Sequence, residues 1–218
     1  KETINMQVLI LSGPNHGFEK SAPLIHEFLG AADDLDVALE DDKDILADGL
    51  DAFDVCVFGT GFTHPVPQED GSRIWEAELT TNQEDGLLDF VRSGKGLVGI
   101  HGTAWNIGAR AVDLLGGHAN WHPPGLTFTV NVTEGEHPIT ADLADFEVED
   151  EIYMSAWFPE INILATAEWS DKKHPLAWTK SFGDGRVFYT ALGHGPDTFS
   201  RPGMQKLMTQ GVRWAGTN

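Results

Sequence analysis

The stretch GLVGIHG, residues 96–102, is an apolar run that leads directly into a histidine and a glycine. An apolar run of this length bounded by glycine is typical of a strand buried on both faces. Three further strands are predicted, at MQVLILSG (6–13), DVALE (36–40) and FDVCVFGTG (53–61). Helical segments separate these strands, and such alternation predicts a parallel sheet covered by helices on both faces.

The helices are predicted from apolar residues spaced three and four positions apart. They cover residues 19–29, 83–93, 104–116 and 202–215. The second half is instead rich in strand-like segments, at 126–132, 146–153, 162–169, 175–182 and 186–193, with a hairpin turn through Asp184-Gly185 and a long loop at 60–82. We therefore predict one α/β domain over residues 1–218, with a mainly parallel open sheet flanked by helices and antiparallel strands added in the C-terminal half.

The charge of the chain excludes several classes of partner. Its 218 residues include 14 Lys and Arg against 34 Asp and Glu, a formal net charge of −20. Such a surface repels phosphate backbones and anionic lipids, so we expect neither a nucleic-acid partner nor a membrane partner. No apolar stretch approaches the roughly 20 residues of a membrane span, and the N-terminus lacks a signal-peptide pattern, so a cytoplasmic location is expected. Exposed apolar strands in the second half favour a homodimer.

Cysteine and nucleotide chemistry are also unexpected. Cys56 is the only cysteine, and its apolar surroundings predict a buried core thiol rather than a nucleophile. The sequence has no P-loop motif, no G-x-G-x-x-G that follows a strand and opens a helix, and no G-x-S-x-G elbow, so we expect no nucleotide cofactor and no ordinary α/β-hydrolase.

Histidines follow the predicted parallel strands. His16, His64, His101 and His194 each lie in a loop directly after a strand, beside glycine or proline. Ligands of open α/β sheets bind at the carboxyl ends of the strands, so we expect these loops to converge. Neutral imidazole binds Zn²⁺ or a similar ion and also transfers protons near neutral pH. Because no H-E-x-x-H motif is present, a metal site must be assembled from distant loops.

Carboxylates and tryptophans add candidates. In FEVEDEIY, 146–153, strand alternation places Asp150 on one face and Glu151 on the other, and one carboxylate at the end of the strand is expected to turn inward as a base or ligand. The chain has seven Trp, and Trp105 and Trp178 lie near the histidine loops. Indole rings stack on the C–H faces of sugars, although for each Trp taken alone filling of the core is the preferred explanation.

The segment LVGIHGTAW, 97–105, resembles the turn that carries the nucleophile in the class I glutamine amidotransferase-like fold, which is flavodoxin-like. Histidine at 101 replaces the cysteine of that fold, so thiol amidotransferase chemistry is not expected. This variant resembles the trehalose-utilisation (ThuA-like) family. Further similar segments are LLGGHANWHP (114–123), EHPITADL (136–143), EDEIY (149–153), HPLAWTKSFGDGRVFYTALGH (174–194) and VRWA (212–215). His118 and the loop 60–82 depart from the family pattern.

The resemblance implies carbohydrate catabolism linked to trehalose and 3-keto sugars, with His101, His122, Glu151 and His194 as the candidate site. We expect an enzyme in which His101, Glu151 and His194 are catalytic. His16, His64, Trp105, His122 and Trp178 are expected to bind substrate. His101, His122 and His194 are the candidate ligands of a divalent Zn or Mn ion. Two alternatives are a non-catalytic sugar-binding or regulatory module and a metal-dependent hydrolase of another small substrate.

Overall fold

The computed structural model describes residues 5–13, 17–59, 62–106, 110, 112–133 and 136–217, and for Trp75, Trp105 and Asn106 it describes the backbone alone. The strands within these ranges are β1 (Met6–Leu11), β2 (Leu35–Glu40), β3 (Val55–Phe58), β4 (Thr63–Pro67), β5 (Arg73–Ala77), β6 (Gly96–Ile100), β7 (Gly117–Trp121), β8 (Leu126–Val132), β9 (Phe146–Asp150), β10 (Met154–Trp157), β11 (Asn162–Trp169), β12 (Lys172–Phe182) and β13 (Gly185–Thr190). The helices are α1 (Phe18–Gly30), α2 (Ile45–Asp48), α3 (Thr81–Arg92), α4 (Thr103–Asn106), α5 (Val112–Leu115), α6 (Pro196–Phe199) and α7 (Pro202–Gly216).

Nine strands form the central sheet, in the order β2-β1-β3-β6-β13-β12-β11-β8-β9. The first five are parallel to one another, whereas each later pair is antiparallel. The α/β fold with antiparallel strands in the C-terminal half is thereby confirmed. The parallel strands have the flavodoxin-like order 2-1-3-4-5. From β1 the chain first adds β2 on one side and then crosses to β3 on the other side of β1.

Both faces of the parallel half are buried, which explains the continuous apolar runs in the sequence. In β1, Val8 and Ile10 belong to one core cluster, and Leu9 and Leu11 belong to the other. Side chains of a strand alternate between faces, so a strand covered on both sides needs apolar residues at every position. α1 and α7 cover the first cluster, and α3 covers the second.

The structure has the helix predicted at 83–93, as α3, and the buried thiol predicted for Cys56. α3 begins where Thr80 and Gln83 form a capping box, with Gln83 N donating to Thr80 Oγ1 at 3.3 Å and Thr80 N donating to Gln83 Oε1 at 2.8 Å. Cys56 is fully buried in β3, as predicted, and burial raises the pKa of its thiol to about 12. This thiol is therefore inert at physiological pH.

Several elements differ from the sequence predictions. The loop predicted at 60–82 contains the hairpin of β4 and β5, and β7 and β10 form a second small sheet. Instead of one helix over 104–116, the chain forms α4 and α5, with residues 107–109 and 111 outside the described ranges. The sequence predicts the β12–β13 turn at Asp184-Gly185, but the turn lies one residue earlier, at Gly183-Asp184. Gly185 already pairs with Phe182, and Gly183 has a φ of 59°.

Candidate functional site

His101 lies in the tight turn between β6 and α4. Its φ of 45° is unusual for a residue other than glycine, and such strain persists only where the surroundings fix the backbone. Here His101 N donates to Thr190 O at 2.7 Å, and the Tyr189 hydroxyl donates to His101 O at 2.8 Å. The hydroxyl of Thr103 contacts backbone carbonyls at the end of β3 and thus ties this turn to the neighbouring strand. The turn therefore holds a buried imidazole at the carboxyl edge of the sheet.

The surroundings of His101 fix its tautomer. Nδ1 lies 2.6 Å from the carbonyl oxygen of Ala191, which only accepts, so Nδ1 carries the proton and donates it. In the neutral ring, Nε2 therefore has the lone pair, and the Tyr153 hydroxyl donates to it at 2.7 Å. A backbone carbonyl behind the distal nitrogen is the usual support of an imidazole that binds a metal or accepts a proton.

The end of β9 brings two carboxylates to this edge. Pairing with β8 stops at Asp150, whose partner Leu126 is the first residue of β8, so the chain turns there. The Asp150 carboxylate is buried and accepts from the backbone N–H groups of Glu151 (2.7 Å), Gly193 (2.8 Å) and His194 (3.3 Å). It also accepts from the Thr198 hydroxyl at 2.6 Å, which completes its hydrogen bonding. This carboxylate joins β9 to the loop after β13 and places Glu151 beside His194.

His101, Glu151 and His194 form a nearly equilateral triangle. Nε2 of His101 lies 3.5 Å from Oε2 of Glu151, and Nδ1 of His194 lies 3.4 Å from each of these two atoms. His101 and Glu151 are buried, whereas half of the His194 side chain is exposed. The triangle therefore lies just beneath the surface, with His194 on its solvent side.

The electrostatics of the triangle favour an ionised Glu151. Burial alone raises the pKa of this carboxyl, but the imidazoles of His101 and His194 outweigh burial and hold it well below its ordinary value. The same contact with Glu151 raises the pKa of His194, against a smaller opposing effect of burial. A buried carboxylate thus faces two imidazoles, which is a strongly polar arrangement inside an otherwise apolar edge.

His122 approaches Glu151 from the other side. Its Nδ1 lies 3.4 Å from Oε1 of Glu151 and 2.9 Å from the carbonyl oxygen of Pro123, to which it donates. In the neutral ring the lone pair is therefore on Nε2. About a third of the His122 side chain is exposed, so this imidazole lies between the triangle and solvent.

The donor set fits a divalent metal ion. The ligand atoms of His101, Glu151 and His194 all lie within 4.8 Å of one another, and ligands bound tetrahedrally at about 2.1 Å lie about 3.4 Å apart. Oε2 of Glu151 is buried and, among the described residues, meets no partner with full hydrogen-bond geometry, although both imidazoles lie within 3.5 Å of it. Two imidazole nitrogens and a carboxylate oxygen suit Zn²⁺ and Mn²⁺. His122 stands beside this triangle and is not one of its corners.

The other predicted site residues have different positions. His16 and the side chain of Trp105 lie outside the described residues. His64 is on β4, half-exposed, with its ring nitrogens 3.6 Å from Glu78 Oε1 and 4.0 Å from Glu76 Oε2. Among the described contacts, none joins His64 to the triangle. Trp178 is fully buried on β12, so its indole presents no face to a ligand.

Trp178 instead supports the core beneath the site. Its Nε1 donates to Leu115 O at 2.8 Å, and its ring contacts that of Tyr189 with centroids 4.4 Å apart. The substrate-stacking role predicted for Trp178 is therefore corrected to a packing role.

Sequence reasoning did not assign roles to Asp150 and Tyr153. A signal for Asp150 was present, because alternation puts it on the same face as Phe146 and Val148, where a carboxylate needs internal partners. Tyr153 carried no such signal, since its contact with His101 spans 52 positions of the chain.

Comparison with known proteins identifies the family of this chain. The sequence profile of the family described as "ThuA: Trehalose utilisation" matches residues 7–215. The protein belongs to the ThuA family. No curated protein matches the sequence significantly.

Solved structures of ThuA-like proteins have the same fold. One from Parabacteroides merdae is 19% identical, with a TM-score of 0.80 over 98% of this chain and 90% of its own. One from Bacteroides uniformis is 20% identical, with a TM-score of 0.76 over 99% and 93%. The cytoplasmic protein STM1381 from Salmonella typhimurium is 16% identical, with a TM-score of 0.70 over 96% and 99%.

The family assignment supports a carbohydrate-related role for this ThuA protein. Among the described residues, no helix is both long and apolar enough to cross a membrane.

Proposed function

We propose that this ThuA protein is an enzyme of carbohydrate catabolism that acts on a disaccharide or a 3-keto sugar of the trehalose type. The observation that carries the proposal is the triangle of His101, Glu151 and His194, with 3.4–3.5 Å between its ligand atoms and one corner open to solvent. A purely structural cluster gains little from burying an ionised carboxylate whose Oε2 makes no well-formed hydrogen bond among the described residues. Such a group is expected where a ligand completes its coordination.

His101, Glu151 and His194 would hold a divalent ion, Zn²⁺ or Mn²⁺, through Nε2, Oε2 and Nδ1. Such an ion would polarise a carbonyl or hydroxyl oxygen of the sugar and stabilise negative charge that develops on it. The hydrogen bond from His101 Nδ1 to Ala191 O keeps the ring oriented and the proton off Nε2, so that Nε2 can serve as the ligand atom in place of its hydrogen bond from Tyr153.

His122 is the best-placed base among the described residues. The hydrogen bond to the Pro123 carbonyl keeps the proton on Nδ1, and the lone pair on Nε2 accepts a proton. A keto group at C3 acidifies the neighbouring C–H, so a positioned imidazole removes that proton efficiently near neutral pH. Glu151 is a weaker base, because its pKa lies well below neutrality, and it serves better as an ionised ligand.

A metal-binding experiment tests the proposed ion. Protein stripped with a chelator is dialysed against Zn²⁺ or Mn²⁺, and bound metal is measured by elemental analysis. We expect about one ion per chain in the wild type and in His64→Ala, because His64 lies apart from the triangle. We expect almost none in His194→Ala and Glu151→Gln. Equal metal content in all four proteins contradicts the assignment.

Turnover tests the enzymatic role. Wild-type protein with and without the ion is incubated with trehalose and with 3-ketotrehalose, and products are followed by NMR. We expect product from the keto sugar and its loss in His122→Ala and His194→Ala, while His64→Ala keeps its activity. Saturable binding without product favours the non-catalytic sugar-binding module instead. Turnover of unrelated esters or amides, without any of the sugars, favours the metal-dependent hydrolase.

We also propose a cytoplasmic location, which the description of the similar Salmonella typhimurium protein as cytoplasmic supports. Cell fractionation with an antibody against the protein tests this assignment.

A further inference from the structure

An exposed indole stands at the edge of the site. Five large apolar side chains are exposed among the described residues, and Trp121 is the most exposed, at 53%. Among the described side chains, Trp157 is the other exposed Trp, at 43%. Exposure of an indole is costly, because the ring offers much apolar area to water, so a ligand that covers it gains binding energy.

Trp121 and Trp157 occupy opposite ends of the small sheet. Trp121 ends β7, pairs with Met154 and directly precedes His122 in the chain. Trp157 ends β10 and pairs with Gly117, at the other end of β7. Because a strand rises about 3.3 Å per residue, the two backbone positions lie roughly 10 Å apart along the ribbon. Trp121 is therefore the one next to the site.

Neighbouring rings hold Trp121 in place. Its centroid lies 6.0 Å from that of Trp169, at an interplanar angle of 54°, and Trp169 in turn contacts His174 at 6.1 Å. β11, which ends at Trp169, runs in the same direction as β13, so its end lies at the same edge as His194. The indole is thus partly oriented before a ligand arrives, which lowers the entropic cost of binding.

We propose that Trp121 forms a subsite for the second pyranose ring of a disaccharide substrate. This inference rests on the proposed function, because the first ring must be the one held at His101, Glu151 and His194. The backbone of Trp121 is one residue, about 3.8 Å, from that of His122, which contacts Glu151. The backbone of Trp121 thus lies beside the site, and a sugar ring joined to the reacting ring would extend toward the indole. Its C–H face stacks on the aromatic surface, and being neutral, it avoids the repulsion that the charge of −20 imposes on anions.

The test compares sugars of one and two rings. Affinities of the full-length protein for trehalose and for glucose are measured by isothermal titration calorimetry, with wild type, Trp121→Ala, Trp121→Phe and the matched control Trp157→Ala. We expect Trp121→Ala to bind trehalose about three- to tenfold more weakly, the size of one aromatic stacking contact, with glucose unaffected. Trp121→Phe should recover most of the affinity, and Trp157→Ala should match the wild type.

The outcomes separate this inference from the proposed function. If the wild type binds both sugars but Trp121→Ala binds trehalose as the wild type does, the subsite is refuted and the proposed function stands. Equal weakening by Trp157→Ala also refutes it, because the effect is then not specific to the ring beside the site. If the wild type binds neither sugar nor their 3-keto derivatives, the proposed function itself fails, and the subsite with it.

Discussion

Asp150→Asn is expected to destabilise the protein strongly, although it removes only one charge. The carboxylate accepts two hydrogen bonds at each oxygen, from three backbone N–H groups and the hydroxyl of Thr198. An asparagine keeps one acceptor oxygen and turns an NH₂ group toward two donors. Two bonds to a charged group are lost, each worth about 1.5–3 kcal/mol, so we expect a loss of about 3 kcal/mol or more in the free energy of unfolding.

Thermal and urea unfolding followed by circular dichroism measure this loss. In a domain of this size 1 kcal/mol shifts the midpoint by about 2–4 °C, so the melting temperature should fall by about 6–12 °C. Asp197→Asn is the matched control, because Asp197 is exposed in α6, directly after the loop that Asp150 contacts, and its change should cost less than about 0.5 kcal/mol. If Asp150→Asn is no more destabilising than Asp197→Asn, the carboxylate does not hold β9 to the loop after β13.

Three further outcomes follow from the geometry. Tyr153→Phe removes the hydroxyl that donates to His101 Nε2, so Zn²⁺ should bind about three- to tenfold more tightly in competition with a chelator, and unchanged affinity would contradict this contact. Gly185→Ala puts a Cβ 2.0 Å from a backbone carbonyl of α3 and should cost about 2 kcal/mol or more in urea unfolding. The lowered pKa of Glu151 stabilises the folded protein above pH 4.5, and this stabilisation is lost as the pH falls below that value. The raised pKa of His194 stabilises the folded protein below pH 6.5, and this stabilisation is lost as the pH rises further. In metal-free protein, the destabilisation by Glu151→Gln should therefore be largest between these values and shrink at alkaline pH, and a loss that grows with pH would refute the ion pair.

The parallel half of the fold was predictable because its pattern is local. β3 and β6 read as continuous apolar runs, since both faces of these strands are buried. The glycines that follow β3, β6 and β13 mark the turns, and two of those turns hold His101 and His194. Residues directly after adjacent parallel strands lie close together, so that part of the site was predictable once both segments were interpreted as strands of one open sheet.

The remaining elements lacked such a signal. β4, with the sequence THPVP, contains two prolines and is exposed, as strands at a sheet edge are, so its sequence resembles a loop. β7 has alternating burial only in part, and its partner β10 is four residues long. The contact of Tyr153 with His101 depends on how the antiparallel strands return to the site, and local periodicity does not specify that.

The parallel and antiparallel halves of the sheet supply different residues to the site. β6 and β13 are hydrogen-bonded neighbours, with Ile100 opposite Thr190, so the parallel half alone brings His101 and His194 together. Glu151 directly follows β9, which three strands separate from β13 in the order of the sheet, and the end of β9 nevertheless contacts the loop after β13. Asp150 fixes that return with its four hydrogen bonds. Two imidazoles alone are a weak site for a divalent ion, so the antiparallel half supplies the carboxylate without which the parallel edge has no complete donor set.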